Sequence, residues 1–247
     1  MGALVTPGDH APMLTRPGAA RVPGAVPAYL RPTAPIAADA VLVGDPGRAL
    51  LLAQELLEEP KMSNHARGLW GYWGQTPAGN ALTIQATGIG GPSAALVLHD
   101  LAELGARRVV RVGTCFGSGD HSLGELVLVS AAIAAGGSAA SLGIAVGETV
   151  TPDANLTGRV SDALGEGGQS AAIASVDARP DERALPAGAG AADMQTAPLL
   201  ARARSLGIVA AAILIVAERS GGEGLEKEAL ELAEKRAGRA ASTALSA

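Results

Sequence analysis

Two segments constrain the fold of this chain more than any others: VLVGDPGR at residues 41–48 and TGIGGPSAALVLHDLAELGARRVVRVGTC at residues 87–115. Each contains the pattern of a strand that ends in a glycine-rich turn. Residues 41–43 are a short apolar run carrying β-branched valines, as a buried strand does. Gly44, Asp45, Pro46 and Gly47 break the run, and Arg48 begins an apolar-periodic segment with Leu50, Leu51, Leu56 and Leu57. Residues 82–86 are strand-like, Gly88 to Gly91 turn, and Pro92 and Ser93 suit the first turn of a helix. That helix places Val97, Leu101 and Leu104 on one face. Residues 108–112 are the next strand, ended by Gly113, Thr114 and Cys115, with a hydroxyl at its C-terminal edge.

The rest of the chain alternates in the same way. Residues 126–133 and 171–176 read as strands, residues 155–164 and 193–206 as helices. Residues 209–216 are a continuous apolar strand, buried on both faces. Residues 223–245 form a closing amphipathic helix, with Leu225, Ala229 and Leu232 inward. Glu223/Lys227 and Glu231/Lys235 pair outside it at i,i+4. The expected fold class is therefore α/β: a single domain over residues 29–247, with a mixed central β-sheet flanked by helices on both sides. A length of 247 residues fits one such domain. Residues 1–28 are rich in Gly, Pro and Ala without periodicity and read as a flexible N-terminal tail. They lack the continuous apolar stretch of a signal peptide.

The turn chemistry points toward an anion. Glycine lets backbone approach a ligand closely. A helix N-terminus offers free N–H groups and a positive dipole end. Arginine adds a planar fork that matches two phosphate oxygens. In open α/β sheets, ligands bind at the C-terminal edge of the strands, where these turns lie. On residue chemistry alone, a phosphate site and plain sheet-to-helix turns stay equally open. GIGG is not the dinucleotide fingerprint, because Ser93 stands where the third glycine belongs.

Composition narrows the classes. A net charge of −5 argues against nucleic acid or an anionic membrane as partner. No apolar run approaches the ~20 residues of a membrane span. A lone cysteine, Cys115, excludes an internal disulfide and suits a reducing, cytoplasmic compartment. No His/Cys/Asp cluster has metal-ligand spacing, so neither a metal nor a cofactor is expected. His10 lies in the tail, and His65 and His99 have no partner motif. His121 lies in the Gly/Ser-rich loop after Cys115, near the proposed pocket. Trp70, Tyr72 and Trp73 form an aromatic patch in a chain with 2% aromatics. A subunit interface explains them better than base stacking.

Five motifs in order resemble those of a known family. GDPxR at residues 44–48, NxxRGxxG at 64–71, GxGxPSA at 88–94, RVGTC at 111–115 and an acidic-Met-x-T-A helix start at 193–197 are similar to the hexameric nucleoside phosphorylases, which act on purine nucleosides or uridine. The resemblance covers about residues 29–245. It implies cleavage of a nucleoside's N-glycosidic bond by inorganic phosphate, the co-substrate. It assigns phosphate binding to Gly44, Arg48, Arg111 and Thr114, and a reach into the neighbouring subunit's phosphate site to Arg67. It places Met194 and Gln195 on the ribose and Glu218 at the departing base. It also implies a homo-oligomer, a hexamer built as a trimer of dimers. Three positions depart from the family: Gln195 replaces a glutamate that binds the ribose hydroxyls, Ala217-Glu218 replaces Ser-Asp, and Phe116 stands where glycine is usual. The segment at residues 175–190 lacks the family's base-binding aromatic. Nucleosidases of the same fold lack the phosphate arginines, so Arg48, Arg67 and Arg111 favour phosphorolysis over hydrolysis. The alternatives are a diverged, catalytically weak or inactive member that binds a phosphate- or nucleoside-like ligand or serves only as an assembly subunit, and a nucleosidase.

Overall fold

A computed structural model describes residues 27–119, 121–179, 185–219 and 222–247. His10 and all but the last two residues of the proposed tail lie outside the described residues. In chain order the strands are β1 (Asp39–Val43), β2 (Glu58–Asn64), β3 (Gly71–Gln75), β4 (Ala81–Ala86), β5 (Arg108–Gly117), β6 (Leu126–Ala134), β7 (Thr149–Val150), β8 (Gly168–Ser175), β9 (Ala191–Asp193) and β10 (Val209–Arg219). The α-helices are α1 (Pro46–Leu56), α2 (Gly90–Leu104), α3 (Gly137–Ala140), α4 (Ala154–Leu164), α5 (Thr196–Leu206) and α6 (Lys227–Ser246).

β4, β1, β5 and β10 run parallel and side by side. β3 and then β2 extend the β4 side antiparallel. On the other side β10 pairs β6, β6 pairs β8, β8 pairs β9, and β9 returns to β5. Five strands thus close on themselves while four lie in an open wing. The sheet is mixed, as expected, but half of it is a ring rather than an open sheet.

Alternation along the strands builds a core on each face. In β10, Ala210, Ala212, Leu214 and Val216 join α2 and α5 through Leu98, Leu101 and Leu199. Ala211, Ile213 and Ile215 join α1, α4 and α6 through Leu52, Leu156 and Ala237. Helices therefore cover both faces, and β10 is apolar on both because both are buried. Local signals set the boundaries. Asp45 caps α1 by accepting from Arg48 N at 2.8 Å, with Pro46 in the first turn. Gly105 and Gly207 end α2 and α5 in the left-handed conformation.

Three boundaries differ from the sequence reading. β5 continues through Gly113, Thr114 and Cys115 to Gly117 because β10 and β9 supply partners along it. α5 starts at Thr196, since Asp193 belongs to β9. α6 starts at Lys227, and its inner face is small: Ala233, Ala237, Ala240 and Ala241 are buried, whereas Ala229 is exposed and Leu232 is 70% exposed. The reason is close approach to α1; a Cβ at Gly238 would lie 2.6 Å from Leu52 Cδ2. Lys227 pairs with Glu231 at 3.8 Å, and Lys235 instead meets Glu55 at 3.6 Å.

Candidate active site

The C-terminal ends of β1, β5 and β10 frame a cavity of about 860 Å³. Its wall brings together five segments far apart in sequence: Gly44 to Arg48, Gly88 to Gly90, Arg111 to Phe116, Ala192 to Gln195, and Ala217 with Glu218. Arg179 completes the rim. Eight of the nine residues singled out in the sequence line it: Gly44, Arg48, Arg111, Thr114, Phe116, Met194, Gln195 and Glu218. Arg67 does not. It is exposed, its backbone is left-handed (φ 60°), and its guanidinium lies 5.5 Å from the Tyr29 ring.

The two buried arginines are each held by a carboxylate. Arg48 Nε donates to Glu234 Oε1 of α6 at 2.6 Å, and both side chains are 8% exposed. Arg111 Nη2 donates to Asp193 Oδ2 at 2.9 Å, Nη1 to Gln195 Oε1 at 2.7 Å and Nε to Thr196 Oγ1 at 3.1 Å. Among the described residues, two N–H bonds of that guanidinium have no acceptor, one on each terminal nitrogen. The glycine after it in RVGTC has a steric cause. The Arg111 side chain folds back over the strand, and a Cβ at residue 113 would lie 2.5 Å from Nη2.

The two glycine turns differ electrostatically. At α1 the Asp45 carboxylate already occupies the helix N-terminus. At α2 the N-cap residue is Ile89, with no side-chain cap, so the first-turn N–H groups carry no side-chain acceptor. The turn needs left-handed backbone at Gly88 (φ 75°) and Gly90 (φ 82°), and glycine supplies it. Of the two turns, the second, beside Arg111, is thus the one whose helix N-terminus carries no capping side chain.

At the other end of the cavity, β10 bulges. Val216 pairs with Cys115, but Glu218 pairs with Phe116, leaving Ala217 extra. The bulge re-aims the strand end. Glu218 Oε2 accepts from Arg179 Nη2 at 2.7 Å, with the two side chains 46% and 79% exposed. Phe116 is buried and lies in the wall. Cys115 is buried too. Burial pushes its thiol well above the usual range, helped by Asp193 and opposed by Arg111.

Other candidates fall away from the cavity. His121 Nδ1 lies 2.7 Å from Glu125 Oε1 and is not in the wall. His99 lies 3.6 Å from Glu103 on the same helix. Tyr72 is buried, Trp70 is half-buried against the core on that face, and Trp73 is half-buried, so the aromatic patch is partly covered within one chain. Among the described residues no group of three or more His, Cys, Asp or Glu could hold a metal ion. No described helix is long and apolar enough to cross a membrane. Sequence reasoning missed Glu234, Arg179 and Asp45. Glu234 left no signal, because it sits among the alternating charges of α6. Asp45 was visible as a helix cap before Pro46.

Fold and cavity together define an α/β protein with an arginine-lined pocket at the edge of its parallel strands. The Phosphorylase superfamily matches residues 39–247, and the chain belongs to it. Residues of this chain are 42% identical over 81 positions to the DeoD-type purine nucleoside phosphorylase of Oceanobacillus iheyensis, covering 32% of this chain and 34% of that protein. They are 38% identical over 99 positions to the DeoD-type enzyme of Streptococcus suis, covering 39% and 41%. The matched stretch thus spans about a third to two fifths of the length of these curated relatives. In structure, the chain is similar to uridine phosphorylase from Vibrio fischeri ES114, with a TM-score of 0.75 and 23% identity over 85% of this chain and 92% of that one. It is also similar to purine nucleoside phosphorylase from Toxoplasma gondii in complex with immucillin-H, with a TM-score of 0.74 and 19% identity over 85% and 91%. At these identities the likeness is one of fold.

Proposed function

We propose that the chain is a nucleoside phosphorylase acting on a purine nucleoside or uridine. The carrying observation is the single cavity that joins the α2 glycine turn, Arg48, Arg111 and Thr114 at one end to Met194, Phe116 and Glu218 at the other. Phosphate would sit on the unspent Arg111 N–H bonds, the α2 N-terminus and the Thr114 hydroxyl. A phosphate oxygen attacks C1′, a C1′–O bond forms, and the C1′–N bond breaks. Its electron pair passes to the base, which takes a proton or a hydrogen bond. The bound anion faces the positive charge that develops on the sugar, and such preorganised electrostatics lower barriers by several kcal/mol, about 3–4 for one well-placed donor. Met194 packs against the sugar, and Glu218 with Arg179 meets the base edge.

A homo-oligomer accompanies this reading, a hexamer as a trimer of dimers. Its support is Arg67, held outside the cavity of its own chain on strained backbone, and Ile89, 85% exposed at the cavity rim. A second reading, binding without turnover, is favoured by one observation: Arg48 and Arg111 are each already neutralised by a buried carboxylate. Product analysis with a nucleoside panel separates the two. Ribose 1-phosphate and free base, formed only when phosphate is present, is the expected result. Free ribose would mean a nucleosidase, and no product with any nucleoside would mean binding alone.

A further inference from the structure

Gln195 has little left to offer a sugar. It is 4% exposed. Nε2 donates to Gly88 O at 2.6 Å and to Gly90 O at 3.2 Å, which spends both amide protons on the α2 glycine turn. Oε1 accepts from Arg111 Nη1 at 2.7 Å. The Thr87 hydroxyl closes the other side of Oε1 at 3.2 Å, sharing its proton with Val43 O at 3.0 Å. The first glycine turn lies alongside the same group, since a Cβ at Gly44 would make an ordinary contact with Oε1 at 3.7 Å. The orientation of the amide is set by its partners. Reversed, its NH₂ would face the Arg111 guanidinium and its oxygen two carbonyls.

We propose that Gln195 is a positioning residue that ties the Gly88–Gly90 turn to Arg111 and does not read the sugar hydroxyls; the consequence for turnover rests on the phosphorylase reading above. A carboxylate cannot make this tie. In a glutamate, the atom replacing Nε2 would bring negative charge against two carbonyl oxygens, and the turn would be driven away from Arg111. The amide holds the two halves of the anion position, guanidinium and helix N-terminus, at a fixed separation. Gln195→Glu therefore does not restore a sugar ligand in this chain but releases the turn. The wild type should then discriminate weakly between ribonucleosides and their 2′-deoxy counterparts.

The test starts with the intact protein. In ligand-free wild type, glutamine-selective ¹⁵N spectra should show the Gln195 side-chain protons, assigned by contacts to Gly88, exchanging roughly tenfold or more slower than a free carboxamide. Their signals should stay in place on saturation with inosine or uridine. In Gln195→Met, which removes the tie without adding charge, affinity for inorganic phosphate should fall roughly tenfold. Nucleoside KM should change less than phosphate KM. Free-amide exchange in the wild type, or signals displaced by the nucleoside, overturns the tie. So does a Gln195→Met protein with unchanged phosphate affinity. Slow exchange in a wild type that binds no phosphate upholds the tie and overturns the phosphorylase reading instead.

Discussion

Asp193→Asn keeps the shape of the side chain and removes its charge. Oδ2 of Asp193 accepts from Arg111 Nη2 at 2.9 Å, Thr196 N at 3.0 Å and Thr196 Oγ1 at 2.6 Å. Oδ1 accepts from Ser175 Oγ at 2.6 Å and faces Thr196 N at 3.2 Å. In either orientation, an amide NH₂ would meet the Thr196 N–H, which can only donate. Arg111 meanwhile keeps a buried charge without its carboxylate. The side chains of the pair are 5% and 0% exposed, so solvent cannot compensate. Breaking one side of such a pair costs about 3–5 kcal/mol. At this chain length each kcal/mol moves the thermal midpoint by about 2–4 °C, so a fall of roughly 6–20 °C is expected. Circular dichroism melts read it directly, and urea unfolding should show a lower midpoint with an unchanged slope. A midpoint within about 2 °C of wild type would refute the assignment of a buried, unreplaceable pair. Glu218→Gln is the control: it removes one side of an exposed, solvent-screened pair, and its midpoint should stay close to wild type.

Three further outcomes are expected. Arg111→Ala should weaken inorganic phosphate binding by about 2–3 kcal/mol, the scale of a charge-assisted hydrogen-bonded contact, and titration calorimetry with unchanged affinity would remove the anion site. Arg67→Gly should relieve left-handed strain and stabilise the fold by about 1 kcal/mol while lowering phosphorolysis; a melt showing lower stability would contradict the strain, and unchanged turnover would contradict the cross-subunit role. The Cys115 thiol, raised by burial, stays protonated in the fold while the unfolded chain ionises above about pH 8.5. The unfolded state then holds fewer protons, so stability should decline as pH rises past that value, by at most about 1.4 kcal/mol per unit. Cys115→Ala should abolish that slope below about pH 10, and an identical slope in the variant would refute the assignment.

Much of the fold was legible because the signals were local. Strand–glycine–helix units placed β1, α1, β4, α2 and β5, and the doubly apolar run of β10 announced a strand covered on both faces. Ring closure was not legible, since it depends on β9, three residues joining β5 and β8 with no pattern of their own. The inner face of α6 was misread because tight packing against α1 selects alanine and glycine there, whereas periodicity arguments follow leucine. In the candidate site, four of the five short motifs supply residues of the cavity wall, and the fifth, at residues 64–71, carries Arg67, which lies outside it. The partners of the wall residues were not legible. Glu234 is distant in sequence from Arg48, and a charge on a charged helix carries no mark of the cation it meets in space.

The open wing ends in β2, and that strand has a consequence for how the protein behaves in a crowd. A sheet edge offers unpaired backbone groups to any passing strand, which is the start of aggregation. Here the ring withdraws five strands from that hazard, and β2 is left as the exposed border of the wing. Its sequence is EEPKMSN, with the first five residues solvent-exposed. Pro60 lacks the N–H that a docking strand would need, Glu58, Glu59 and Lys61 set charge along the border, and Glu59 turns the backbone left-handed (φ 45°). The pairing with β3 slips in register at the same place. The border is thus bent, charged and missing a donor within four consecutive residues. It makes a poor template, so growth of the sheet from one molecule into the next is resisted where the fold would otherwise invite it.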